Sequence, residues 1–333
     1  MKTNENISLT RPVFSQRLQN TKKLLVLIVV AILLYMSTFV LTSSVFSPRA
    51  LFSLLKIASF LGIVAAGQMF TFLIGGIDMS VGNVITFTGI IGSVLFAYGM
   101  PLISVLLITL LLGCLIGAVN GFFISIIRIH PMVMTLAMGS ILKGMSLIIT
   151  RGVTKSGNNQ SLMDFANKNI GYGLTGSVLL WVVIGIAVTL ILHCLLFGRN
   201  MYLLGSNPEV AHLSGVHVVQ VKMFVYMICS TLAAVTGIMV LGYTRTTALA
   251  AGDRYLLPGV AAVLLGGVSP LGGKGGYGGV AVGVFILIAL ENLLMVFRMT
   301  SADKEILEGV ILLIFIIAYN IQFSAKHHRL QKV

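Results

Sequence analysis

The stretch richest in potential chemistry is Gly75-Gly76-Ile77-Asp78-Met79-Ser80-Val81-Gly82, a polar, glycine-rich break between two long apolar runs. Helix-breaking backbone at membrane depth persists only where protein or a watery cavity surrounds it, and an ionisable residue there is a candidate for function. Asp78 is that residue. It also suits the N-cap of a helix beginning near Ser80, where a carboxylate accepts from free backbone amides, and the two roles are compatible. Lys56, Lys143 and Glu291 are the other ionisable residues near predicted membrane depth. Lys56 can snorkel its ammonium outward, whereas Lys143 and Glu291 lie deeper and would pair or face a cavity. These groups are too few and too scattered to form a proton relay.

Catalytic and nucleotide motifs fail on spacing. Gly267 to Lys274 approaches a phosphate-binding loop, but Val268 stands where the loop needs glycine and Gly275 where it needs Ser or Thr. Gly273-Lys274-Gly275-Gly276-Tyr277-Gly278 matches GxGxxG literally, yet it follows an apolar span instead of a strand and has no acidic residue about 20 positions on. Neither a GxSxG elbow nor an HExxH pair occurs. His193, His212 and His217 read as surface or interfacial residues, and Cys114, Cys194 and Cys229 as small apolar fillers without metal-ligand spacing. The chain binds no cofactor by these criteria, and any ATP-driven step needs an ATPase on another polypeptide.

The elements that position Asp78 follow from composition. Of 333 residues, 57% are hydrophobic and 9% charged, against about 25% charged in soluble domains. The mean hydropathy is +1.02. The class is an all-α polytopic membrane protein. Apolar runs predict about ten spans, at 24–42, 51–74, 81–99, 101–127, 131–150, 177–197, 222–243, 256–267, 278–297 and 305–323. The eighth is too short to cross alone and reads as a re-entrant or broken helix. The domain plan is a cytoplasmic tail over 1–23, a transmembrane domain over 24–323 and a second cytoplasmic tail over 324–333. Lys2, Arg11, Arg17, Lys22 and Lys23 hold the first tail inside, and Lys326, Arg329 and Lys332 hold the second. The first run is longer than a signal-peptide core and reads as an uncleaved span. The net charge of +13 is spread over loops and tails without interleaved aromatics, so nucleic acid is not a predicted partner; membrane lipid is.

The longest inside loop, about 198–222, contains Asn207-Pro208-Glu209, a helix-start signature of cap, first-turn proline and acid at the positive dipole end. Gly215 is placed to end that helix. A capped helix of about seven residues on the cytoplasmic side would serve as a docking knob. The longest outside loop, 151–176, carries Arg151, Lys155, Asp164 and Lys168 and reads as a solvated surface or a dock for a soluble protein. Gly113, Gly117 and Gly121, and Gly275, Gly279 and Gly283, form ladders of spacing four that let helix backbones approach. Leu73-Ile74-Gly75-Gly76-Ile77 and Leu264-Leu265-Gly266-Gly267-Val268 form a weak internal echo, of the kind left by a duplicated half.

Three blocks together resemble the membrane permeases of bacterial ribose-type sugar ABC importers: Gly75 to Gly82, Gly205-Ser206-Asn207 through Ser214-Gly215-Val216, and Ala261 to Ser269 with Leu271-Gly272-Gly273-Lys274-Gly275. They occur in the family's order. The resemblance implies a pore of two permease subunits, a homodimer or a pair of paralogues, in the bacterial inner membrane. It further implies a cytoplasmic ATPase that uses the ATP, a periplasmic or lipid-anchored substrate-binding protein, and a sugar or polyol as cargo. The helix near Asn207 would be the coupling helix seated in the ATPase, with Asn207, Pro208, Glu209, Ala211, Ser214 and Gly215 as its contact residues. Asp78, Ser80, Asn83, Asn120 and Thr135 offer hydroxyl, amide and carboxylate groups for a polar substrate path. The alternatives are an ion-coupled secondary transporter with a midplane site, an intramembrane enzyme and a structural subunit.

Overall fold

The computed structural model describes residues 24–37, 48–157, 159–171, 173–300 and scattered positions between 302 and 317. Both predicted tails and most of the tenth span lie outside the described residues. The helices in chain order are α1 (Leu24–Ser37), then α2 (Pro48–Leu73), α3 (Val81–Ala97), α4 (Leu102–Ser125), α5 (Pro131–Thr150), α6 (Gln160–Asn167), α7 (Gly176–Cys194), α8 (Leu196–Ser206), α9 (Pro208–Leu213), α10 (Val218–Thr244), α11 (Asp253–Leu265) and α12 (Tyr277–Val296). Four two- or three-residue strands decorate the loops: β1 (Lys155–Ser156), β2 (Asn169–Gly171), β3 (Leu174–Thr175) and β4 (Thr246–Thr247).

Helices fall at each of the first nine predicted spans. Among the described residues six are long and apolar enough to cross a membrane, namely α2, α4, α5, α7, α10 and α12, while α1 and α3 are shorter apolar helices. At 1.5 Å per residue the 13-residue α11 covers about 20 Å, less than the ~30 Å hydrocarbon core.

α10 is the axis of the bundle, packed against α4, α2 and α3. The first glycine ladder makes the tightest of these seams. A Cβ on Gly113 would lie 2.8 Å from Ser230 O, one on Gly117 2.4 Å from Tyr226 O, and one on Gly121 2.8 Å from Met223 Cα. Only hydrogen fits at such a backbone-to-backbone crossing. The second ladder works similarly: Gly279 faces Gly266 O and Gly283 faces Ala262 O, which joins α12 to α11. A three-helix link adds to this, since Trp181 Nε1 on α7 donates to Tyr277 Oη at 2.7 Å and that hydroxyl donates to Gly62 O on α2 at 3.0 Å.

The glycine-rich segment that matches GxGxxG is a packing loop. Gly273 N donates to Leu73 O, and Gly272 and Gly273 take φ of 89° and 71° against the end of α8. The echo between the ends of α2 and α11 does not extend to equivalent turns: positive φ falls on the first glycine of one pair, Gly75, and on the second of the other, Gly267.

Two ends of the bundle are distinct. At one, α8 and α9 meet the start of α10. At the other, β1 pairs antiparallel with β4, and α6 buries Leu162 and Ala166 against Gly242 near the end of α10. Residues 151–176 are therefore structured, more than the solvated loop their polarity suggests. From β4 the chain runs back along α3, with Thr247 against Gly89 and Gly252 against Gly82, a descent of about 10 Å. Gly252 N is satisfied by Thr86 Oγ1 at 2.9 Å. This segment leads into α11, the helix at the short eighth predicted span.

Candidate functional site

The break between α2 and α3 exists because Gly75 takes φ 74°, turning the chain after Leu73. Asp78 emerges from that turn fully buried. It is not the N-cap of α3: that position is Ser80, whose side chain makes no capping bond. Instead Asp78 Oδ1 accepts from Ser80 N at 2.9 Å and from Ser80 Oγ at 2.5 Å, one step before the helix. Asn120 Nδ2 on α4 donates to Ser80 Oγ at 3.1 Å. Thr135 Oγ1 on α5 accepts from Met79 N at 3.0 Å and donates to Pro131 O at 2.9 Å. Four expected site residues thus come together from the α2–α3 break, α4 and α5. Asp78, Ser80, Asn120 and Thr135 are all fully buried, while Asn83 keeps partial exposure and approaches Gly139 on α5.

α10 closes the cluster. Cys229 and Ser230 face Asp78, near the middle of the 27-residue helix, and the Tyr226 hydroxyl sits against Gly76. Asp78 Oδ2, Asn120 Oδ1, Tyr226 Oη and Ser230 Oγ are buried without hydrogen-bond partners among the described residues. From the sequence, Tyr226 and Ser230 carry no expectation and Cys229 reads as filler, although their i, i+3, i+4 spacing places three polarisable groups on one helical stripe. The arrangement brings hydroxyl, amide, thiol and carboxyl groups together in one buried cluster. Among the described residues no group of three His, Cys, Asp or Glu side chains is placed to hold a metal.

The remaining ionisable residues lie elsewhere. Lys56 Nζ stands 5.0 Å from the centre of the Tyr243 ring, a cation–π contact. Lys143 is exposed on α5, and Glu291 borders a small gap with Arg254 and Tyr255.

At the α8–α9 end the predicted helix forms over Pro208–Leu213. Asn207 Oδ1 accepts from Glu209 N at 2.9 Å and Val210 N at 3.1 Å, Glu209 occupies the first turn, and Gly215 follows at φ 81°. Asn207, Pro208, Glu209, Ser214 and Gly215 are exposed. Ala211, another of the predicted contact residues, is fully buried and anchors the helix from beneath. Val210 and Leu213, 46% and 81% exposed, are apolar side chains on that open face which the motif alone did not single out. α8 fixes the base: Gly205 packs on Leu73 O, and Tyr202 Oη donates to Gly275 O at 2.7 Å. Burial pushes the Tyr202 hydroxyl up from its ordinary range, so it remains a neutral donor.

A helical bundle with six helices long and apolar enough to cross a membrane, a buried polar cluster and a capped helix at one end has the character of a membrane permease. Residues 50–318 match the branched-chain amino acid transport system / permease component family, and the chain belongs to it. It is 31% identical over 280 residues to the ribose import permease protein RbsC of Haemophilus influenzae, covering 83% of this chain and 86% of that one. To RbsC of Escherichia coli K12 it is 31% identical over 283 residues, 84% and 88% of the two chains. To the autoinducer 2 import system permease protein LsrD of Escherichia coli O9:H4 it is 29% identical over 267 residues, 78% and 81%. No solved structure matches.

Proposed function

We propose that this chain is the translocation subunit of an ATP-driven importer carrying a neutral sugar or related polyol across the bacterial inner membrane. The names of its relatives, ribose and autoinducer 2 import permeases, supply the cargo class. The observation that carries the mechanism is α9, a six-residue helix capped by Asn207 and clamped by Ala211, with Glu209, Val210 and Leu213 exposed. A short helix with a fixed base and an open apolar and acidic face is suited to sit in a groove of a cytoplasmic ATPase. ATP binding and hydrolysis there would bias two conformations through contacts that differ between them.

On this reading the α9 end is cytoplasmic, both termini lie on that side, and residues 305–323 supply the tenth span. A second copy or a paralogue completes the pore, and a periplasmic or lipid-anchored binding protein delivers cargo to the β1–β4 end. The substrate path runs beside the Asp78 cluster. Asn83, the member with an exposed part, touches cargo in the present conformation, while Asp78, Ser80, Asn120 and Thr135 stand behind it and come into play as α5 moves away from α3.

The test is ATP hydrolysis in nanodiscs by a candidate cassette ATPase from the same organism, with and without the chain, comparing wild type with Glu209→Arg. The expected result is that the wild-type chain binds the ATPase and changes its rate, whereas the variant, folded and expressed normally, does neither. Uptake that ignores the ATPase and follows an imposed ion gradient would replace this reading with a secondary transporter.

A further inference from the structure

The opposite end of the bundle carries a feature that neither helix packing nor α9 uses. β1 and β4 are about ninety residues apart in the chain yet pair, with Lys155 opposite Thr247 and Ser156 opposite Thr246. The pairing draws together the chain leaving α5 and the chain leaving α10. Each leaves its helix through an arginine in left-handed backbone, Arg151 at φ 53° and Arg245 at φ 66°. Glycine adopts this conformation freely, while a side-chain-bearing residue is disfavoured there by about 1 kcal/mol. Attraction to the helix dipole returns a part of that. Lys155 adds a third cation on the ribbon between them. Arg151 and Arg245 are exposed and Lys155 half-buried, and none has an acidic partner among the described residues. The nearby Asp164 is engaged by Gln160 Nε2 at 2.7 Å within α6.

The platform is rigid. Gly157, next to β1, packs onto Ser93, and Thr247 of β4 packs onto Gly89, so the ribbon is seated on α3. Lys155 on the ribbon, with Arg151 and Arg245 at the helix ends that lead into it, forms a recognition surface for carboxylates, because arginine presents a planar fork that takes a carboxylate bidentately. Their side of the membrane sharpens the point. Loops on the outer side are ordinarily depleted of Lys and Arg.

We propose that Arg151, Lys155 and Arg245 form an electropositive docking platform for acidic side chains of the soluble protein that delivers the cargo. This rests on the importer reading, which places the β1–β4 end on the side from which cargo arrives. Docking here has a direct structural consequence. The chain continues from β4 along α3 to Gly252 at the Asp78 end of that helix, so a contact on the ribbon bears on this segment and α11.

The experiment measures binding of a candidate sugar-binding protein from the same organism to the complete transporter in nanodiscs, at low and high salt. Arg151→Glu, Lys155→Glu and Arg245→Glu are compared singly and together, with Lys168→Glu as a control outside the ribbon. Each single reversal should weaken binding about fivefold and the triple more than about 50-fold, with a flatter salt dependence, while Lys168→Glu and basal ATP hydrolysis stay as in wild type. The single variants keep the test valid if the triple fails to assemble. Wild-type-like affinity in all three singles overturns the platform and leaves the importer intact. Absence of any binding by wild type overturns the importer reading itself. Normal protein binding with loss of co-purified anionic phospholipid would make the ribbon a headgroup site, which also overturns the proposal.

Discussion

Replacing Gly117 by alanine tests whether α4 and α10 are held by direct backbone contact. The added Cβ would lie 2.4 Å from Tyr226 O and 2.5 Å from Met227 Cα, where ordinary contact begins at 3.4 Å, so the helices must part by about 1.0 Å (3.4 − 2.4). Both obstacles are backbone atoms, and no rotamer relieves them. A gap of 0.5–1 Å forfeits roughly a quarter to a half of the attraction of every contact it opens. Lipid is as apolar as the seam, so no hydrophobic force recloses it. Against this, alanine improves helix propensity by about 1 kcal/mol. The net expectation is a loss of about 2 kcal/mol, close to 30-fold in the folded-to-unfolded ratio. Gly144 on α5 has open space around its would-be Cβ, so Gly144→Ala should be neutral or slightly stabilising. The assay is SDS-driven unfolding in mixed micelles, followed through Trp181, the single tryptophan. A Gly117→Ala protein as stable as wild type, or a Gly144→Ala protein that falls just as far, would refute the seam.

Three further outcomes follow from the hydrogen bonds. Asp78→Ala strands the buried Ser80 N–H and should cost about 3 kcal/mol, while Asp78→Asn keeps an acceptor and should cost less than half of that; equal losses in the same unfolding assay would deny the acceptor role. Tyr277→Phe removes the hydroxyl between Trp181 Nε1 and Gly62 O and should cost about 1–3 kcal/mol with a shifted Trp181 emission; unchanged emission would count against the link. Asn207→Ala uncaps Glu209 N and Val210 N, a loss of about 1 kcal/mol confined to α9. ATPase stimulation should therefore drop while the global unfolding midpoint holds, and a fallen midpoint would mean that α9 is part of the folding core.

Much of this was legible because it depends on local chemistry. Asn207-Pro208-Glu209 specifies its own helix start, glycines four apart specify a seam, and a run of about twelve apolar residues is too short to span. What the seams pack against is not local. Gly113, Gly117 and Gly121 meet α10 because of the bundle's topology, which spacing within one helix cannot encode. The same holds for Cys229, which reads as filler until Asp78 is placed opposite it. β1 and β4 were invisible for a related reason: two-residue strands carry no periodicity, and their partners are about ninety residues apart. Ala211 shows the same limit: a motif lists residues without saying which face of a helix each one takes, and this one is buried.

On the proposed function, these non-local contacts would connect the two ends of the protein. α10 follows α9 at one end, leads into β4 at the other and covers about 40 Å between them. Midway it presents Tyr226, Cys229 and Ser230 to the Asp78 turn. The glycine seam fuses it to α4, so these two helices shift as one body. α5 is the natural counterpart. It packs chiefly on α3 and α4, exposes a broad face that includes Lys143, and carries both Thr135 and the Gly139 that meets Asn83. On that reading, a push on α9 would reach the cluster through the closely packed α4–α10 pair. The least encumbered response is a shear of α5 against α3, the same seam along which Asn83 and Thr135 would open to a sugar.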